Sequence, residues 1–130
     1  MGITKDEKAR LDGITERIIG CAIEVHRTLG PGFPESIYEK ALCFELGQRS
    51  IRFARQVAMG VEYRGELVGE LRLDLLVEDA VVVEVKAVER FDPIHGAQLL
   101  SYLKATGRHV GLLINFNVRV LKAGIRRVAL

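Results

Sequence analysis

Three residues set the chemistry this chain could perform: Asp74, Glu84 and Lys86. Glu84 and Lys86 stand two apart in Ala80-Val81-Val82-Val83-Glu84-Val85-Lys86-Ala87-Val88, a stretch otherwise made of residues that prefer burial. A run so rich in β-branched side chains reads as a central strand covered on both faces. Side chains alternate across a strand, so Glu84 and Lys86 share a face. Burying an ionised group costs several kcal/mol unless it is paired or coordinates a metal. Asp74 is a third charge in apolar surroundings, within Arg72-Leu73-Asp74-Leu75-Leu76-Val77. If Glu78-Asp79-Ala80 is a hairpin loop, Val77 faces Val81 and counting back sets Asp74 opposite Glu84. Directly opposed residues have Cβ atoms ~4.5–5.5 Å apart on one face. Two carboxylates at that separation repel, and a cation makes the arrangement favourable. Oxygen ligands select a hard ion that keeps several waters, Mg²⁺ or Mn²⁺. A lysine ammonium beside it could steady a hydroxide or the charge building on a phosphoryl oxygen. The competing reading is a structural ion pair between Lys86 and one of the carboxylates.

Two helical faces add candidates. Glu35 falls in the first turn of a helix, with Tyr38 three residues on and so on the same side. His95, Gln98 and Tyr102 are spaced three and four apart, another single face, while Leu99, Leu100 and Leu103 supply an apolar side. His26 and His95 have no zinc-type partners in the sequence and read as satisfied surface histidines.

The elements that must position these residues follow from periodicity and punctuation. Ile14, Ile18, Cys21, Val25 and Leu29 form one helical stripe, predicting a first helix from about Lys5 to Leu29. It stops at Gly30-Pro31-Gly32. Pro34 suits the first turn of a second helix, which ends near Gly47 to Ser50. The period then changes: Val57, Met59, Val61 and Tyr63 alternate as a strand. Arg64-Gly65 is a turn, and 67–77 is a long second strand with a bulge expected at Gly69. After the short polar turn and the apolar strand, Asp92 is an N-cap with Pro93 at the first helical position of a third helix running to Thr106 and Gly107. Residues 110–116 read as a fourth strand and 125–128 as a short final one. The order α-α-β-β-β-α-β-β predicts a single α/β domain over 1–130, a mixed sheet flanked by helices.

Composition sets the bounds. The 130 residues are 48% hydrophobic and 28% charged, enough to fill one core. Nineteen Lys and Arg against 17 Asp and Glu leave a net charge of +2, which neither demands nucleic acid nor excludes it. A phosphate-binding surface would need local clustering, for which Arg126-Arg127 and Arg49, Arg52, Arg55 and Arg64 are candidates beside the plainer reading of solvated arginines. Cys21 and Cys43 lack CxxC spacing and read as small buried hydrophobes in a reducing compartment. The polar N-terminus is not a signal peptide, and no apolar run approaches the ~20 residues of a membrane span. The expectation is a cytoplasmic protein with no membrane contact.

The motifs resemble a known group. Asp74…Glu84-Val85-Lys86 resembles the PD-(D/E)XK nuclease core, and Gly32-Phe33-Pro34-Glu35-Ser36-Ile37-Tyr38 resembles the signature of the small GxxExxY family within that superfamily. The likeness extends through the stretch from Glu24 and His26 to Gly32, through Ala97-Gln98-Leu99-Leu100-Ser101-Tyr102-Leu103, and through Leu112 to Val118. It implies a restriction-endonuclease-like α/β core that hydrolyses phosphodiester bonds with a divalent metal, Mg²⁺ or Mn²⁺. Asp74, Glu84, the Val85 carbonyl and Glu35 would hold the ion, and Lys86 would position or activate the attacking water. Gln98 and Tyr102 resemble the Q-x-x-x-Y helix motif that supports the site and contacts nucleic acid, with Tyr38 and His26 as further supporting residues. The partner implied is nucleic acid, DNA in the first place, and a nuclease this small often uses a second copy, a homodimer, to span a duplex. Two departures stand out: Leu71-Arg72-Leu73-Asp74 lacks an aromatic residue common before the aspartate, and Gly96 stands where an acidic residue is common. Both touch substrate contacts more than metal binding. The alternative is a catalytically silent module that uses the same fold to dock nucleic acid or a protein.

Overall fold

The computed structural model describes residues 2–130. Helix α1 (Lys5–Leu29) is capped by Thr4, whose hydroxyl accepts the Glu7 N–H at 3.1 Å, and it ends where Gly30 turns to φ 68°. Helix α2 (Glu35–Gln48) begins one residue later than expected, because Pro34 is in extended conformation and serves as the N-cap position. Strands β1 (Phe53–Tyr63) and β2 (Glu66–Val77) form a long antiparallel ribbon. Its two-residue turn, Arg64-Gly65, has positive φ at both positions, the geometry that matches the twist of a hairpin. The bulge expected at Gly69 falls beside it: Val61 pairs with Gly69 but Glu62 with Leu67, leaving Val68 as the extra residue.

Strand β3 (Val81–Lys86) follows, then α3 (Pro93–Thr106), β4 (Val110–Asn115), a short 3₁₀ turn (Leu121–Gly124) and β5 (Ile125–Ala129). The sheet order is β1-β2-β3-β4-β5, with β3 and β4 parallel and the other neighbours antiparallel. The α3 crossover is what permits the parallel pair. Asp92 caps α3 by accepting the Ile94 N–H, and Pro93 opens the helix as expected.

Helices cover both faces of the sheet. On one, α1 and α2 bring Ile18, Cys21, Val25, Leu42 and Leu46 against Val81, Val83, Val85, Leu112 and Ile114. On the other, Leu99 and Leu103 of α3 meet Leu73, Leu76, Val82 and Leu113. Glycine at 111 allows this approach, since a Cβ there would lie 2.8 Å from Leu99 Cδ1. Alternation along β3 sends Val82, Glu84 and Lys86 toward the α3 side. The same rule breaks in β2. Leu71 and Leu73 pack on the α3 side, yet Leu75 and Val77 pack on the α1 side. The strand changes face at Asp74.

Candidate active site

The change of face is where the site is built. Extending the ladders on either side places Asp74 opposite Gln56 on β1 and opposite Glu84 on β3, the second as the hairpin count predicts. Asp74 joins neither ladder. On β1 the pairing passes from Arg55↔Leu75 to Val57↔Leu73, and on β3 it stops at Leu75↔Val83. Gln56 has φ 53°, a left-handed conformation that costs a non-glycine residue roughly 1–3 kcal/mol unless its surroundings hold it. β1 also changes face there, from Phe53 on the α1 side to Val57 and Met59 on the other.

Side chains replace the lost ladder bonds. The Asp74 N–H donates to Glu84 Oε2 at 2.9 Å, and the Val85 N–H donates to Asp74 Oδ2, also at 2.9 Å. The Gln56 carbonyl accepts from Arg72 Nη1 at 3.0 Å. Each carboxylate thus spends one oxygen on the opposite strand, and the second oxygen of each makes no hydrogen bond among the described residues.

Burial then loads the pair. Glu84 is 4% exposed, and its carboxyl is pushed up to about 8, first by desolvation and next by the charge of Asp74. The Asp74 carboxyl is also raised, mainly by burial; the Val85 N–H and Lys86 pull the other way, while Glu39 and Glu35 add to the rise. The Tyr102 hydroxyl on α3 is raised by burial and then by Glu84 and Asp74, which places it toward the same charges. Lys86 is half-buried and takes part in none of the ion pairs among the described residues. The structural ion pair weighed as a competing reading is therefore not formed.

The resemblance implies a third acidic side chain, Glu35, beside Asp74 and Glu84. Among the described residues no group of three or more His, Cys, Asp or Glu side chains is gathered to hold a metal ion. Glu35 is exposed in the first turn of α2, and its effect on Asp74 is the weakest of the charges acting there. Two carboxylates with free oxygens still fit Mg²⁺, which is commonly held by one or two carboxylates, with waters and substrate phosphate completing its shell. The mutual repulsion of Asp74 and Glu84 is what such a cation would relieve.

One helical turn after Glu35 lies a residue that sequence reading missed. Glu39 is only 6% exposed. Its carboxylate receives Arg55 Nε, and Gln56 Nε2 bonds both of its oxygens at 3.0 Å. The signal was present, since Glu39 is four residues from Glu35 and three from buried Leu42. Asn115 was also missed. It is buried, accepts the Val88 and Asn117 N–H groups and donates to the Val88 carbonyl, tying the chain beyond Lys86 to the end of β4.

The other candidates separate. Tyr38 is fully buried and stacks on Phe116 at 4.7 Å. Its hydroxyl donates to the Gly30 carbonyl and accepts the Phe33 N–H, so it pins the turn between α1 and α2 and cannot touch nucleic acid. Tyr38→Phe should lower stability by about 1–3 kcal/mol in urea denaturation while Mn²⁺ affinity stays at the wild-type value. His26 Nε2 bonds the Val118 carbonyl at 2.7 Å, a tie between α1 and the β4 exit. His95 completes the Asp92 cap through Nδ1. Gln98 is exposed on α3, one turn before half-buried Tyr102. The arginines form no single patch: Arg126 lies over Phe91 while Arg127 pairs with Asp12, and Arg49, Arg52 and Arg55 pair with Glu45, Glu78 and Glu39. Cys21 is buried and Cys43 half-buried, both free.

A family model for the PD-(D/E)XK nuclease superfamily matches residues 12–128. The crystal structure of SSO0001 is similar to this chain with a TM-score of 0.53 at 18% identity, over 73% of this chain and 50% of that one. At that identity the likeness speaks for the fold alone, and the chain spans about half the length of SSO0001. No curated protein matches the sequence.

Proposed function

Because this chain belongs to the PD-(D/E)XK nuclease superfamily, whose members usually use divalent metals, we propose that it hydrolyses phosphodiester bonds of DNA with Mg²⁺ or Mn²⁺ in the fork between β2 and β3. The observation that carries this reading is the meeting of Asp74 and Glu84 in a largely buried place where, among the described residues, no cationic side chain is paired to either. The mixed sheet flanked by helices is consistent with the restriction-endonuclease-like fold. No described helix is long and apolar enough to cross a membrane. The spacing of Gly32, Glu35 and Tyr38 supports placing the chain in the GxxExxY group.

In this reading Asp74, Glu84 and the Val85 carbonyl hold the ion, with Glu35 adding negative charge at the rim. The bound cation supplies charge neutralisation at a phosphoryl oxygen and a more acidic water. Lys86, on the face of Glu84 and without a carboxylate partner among the described residues, positions the attacking water and meets the phosphate charge. Tyr102 lines the α3 side, and exposed Gln98 extends that wall toward substrate.

The test is cleavage of linear, circular and single-stranded DNA, and of RNA, with Mg²⁺ or Mn²⁺. Lys86→Ala should lower the rate about 10²–10⁴-fold while Mn²⁺ binding by calorimetry persists. Cleavage that survives Lys86→Ala would sink the role given to that residue. Metal binding without cleavage of any substrate would favour the silent docking module.

A further inference from the structure

We propose that Glu39 is a positioning residue for Asp74: acting through Gln56, its carboxylate holds β1 in the left-handed kink that leaves β2 unpaired at the aspartate. The consequence for metal binding rests on the reading above; the geometry does not.

Without the kink, the register would bring Gln56 and Asp74 together as ordinary ladder partners. The Asp74 N–H would then have a backbone acceptor on β1 within reach and no need of Glu84 Oε2. As the structure stands, Gln56 sits at φ 53° and its carbonyl is taken by Arg72. A left-handed glutamine persists only where its surroundings fix it. The fixing contact is its side-chain amide on both oxygens of Glu39. Glu39 is itself a firm anchor, buried on α2 between fully buried Tyr38 and Leu42, with Arg55 on its other side. The tie therefore runs from helix α2 to the kink in β1, and from the kink to the freedom of Asp74 to accept the Val85 N–H. Metal-ligating carboxylates are commonly oriented by such outer partners.

The Val85 amide reports the position of the Asp74 carboxylate, and the Leu112 amide, deep in β4, reports global opening. In metal-free protein, Glu39→Ala should speed hydrogen exchange at Val85 about tenfold or more beyond any change at Leu112. Glu39→Gln, which keeps an acceptor for Gln56, should restore most of the protection. Leu42→Ala, a destabilising change on the same helix, should speed both amides together. With Mn²⁺, Glu39→Ala should bind about 10–100-fold more weakly than wild type. Val85 and Leu112 moving in step in Glu39→Ala would overturn the proposal, whatever the metal does. Wild-type protein that fails to bind Mn²⁺ would remove the metal reading, and the exchange result would still decide the positioning role.

Discussion

Asp74→Asn should abolish Mn²⁺ binding and lower cleavage by about 10²–10³-fold, and yet the metal-free protein should become more stable than wild type. The two effects share one cause. Asp74 and Glu84 are held together by backbone bonds that each carboxylate accepts from the other's strand, not by attraction between them. Their charges oppose each other in a place where Glu84 is 4% exposed. Asparagine keeps an oxygen to accept the Val85 N–H and removes the charge that, after burial, does most to raise the Glu84 carboxyl. One pKa unit of relief is worth on the order of 1 kcal/mol. Thermal denaturation in EDTA at pH 8 measures the gain, and calorimetric titration with Mn²⁺ measures the loss. A variant that melts below wild type in EDTA, or that still binds Mn²⁺ normally, would show that the pair is not the self-repelling cation site proposed above.

The second large effect is in the pH dependence of stability. The Glu84 carboxyl stands at about 8 in the folded chain against an ordinary 4.5, and Asp74 is displaced in the same direction. Between those limits the folded state binds more protons than the unfolded one. Stability from this group is therefore full below about pH 4.5 and is lost as pH rises toward 8. The loss should reach about 5 kcal/mol at most. Asp12 and Glu78 are half-buried carboxylates held below the usual range, Asp12 by hydrogen bonds from Lys8 and Arg127 and Glu78 first by the Arg52 N–H and then by its guanidinium, and they act at more acid pH with the opposite sign. Saturating Mn²⁺ should flatten the fall, because the cation takes the place of the proton. Binding near pH 7 should release close to one proton and strengthen about tenfold per pH unit up to about 8. Urea denaturation from pH 5 to 8.5, with EDTA and with Mn²⁺, checks this; a flat profile in EDTA would contradict the buried, coupled carboxylates.

Much of the frame was legible because its signals are local. Gly30 ends α1, Asp92 and Pro93 open α3, and Glu78-Asp79-Ala80 closes the hairpin with Val77 against Val81. That register alone sufficed to bring Asp74 to Glu84. What was not legible is that the two strands come apart at the pair. Strand alternation assumes an unbroken ladder, and the break depends on Gln56 adopting positive φ under a contact from a different helix. The same blindness hid Glu39 and Asn115, whose partners lie on other elements: Arg55 and Gln56 for the first, and the Val88 backbone for the second. Tyr38 was read as a face of the site because spacing gives a helical side but not what covers it. Burial against Phe116 decided that.

The three-residue loop between β2 and β3 has a consequence for how the chain reaches its folded state. Asp74, Glu84 and Lys86 belong to one hairpin, and closing a loop this short costs far less chain entropy than bringing Val110 beside Val81 across the α3 crossover. The segment that carries the charge conflict can meet itself early, while open to water that screens it. The conflict grows only as α2 and α3 dock and the solvent leaves. Folding and the loading of the site are in that sense one event, completed by the helices rather than by the strands that hold the charges.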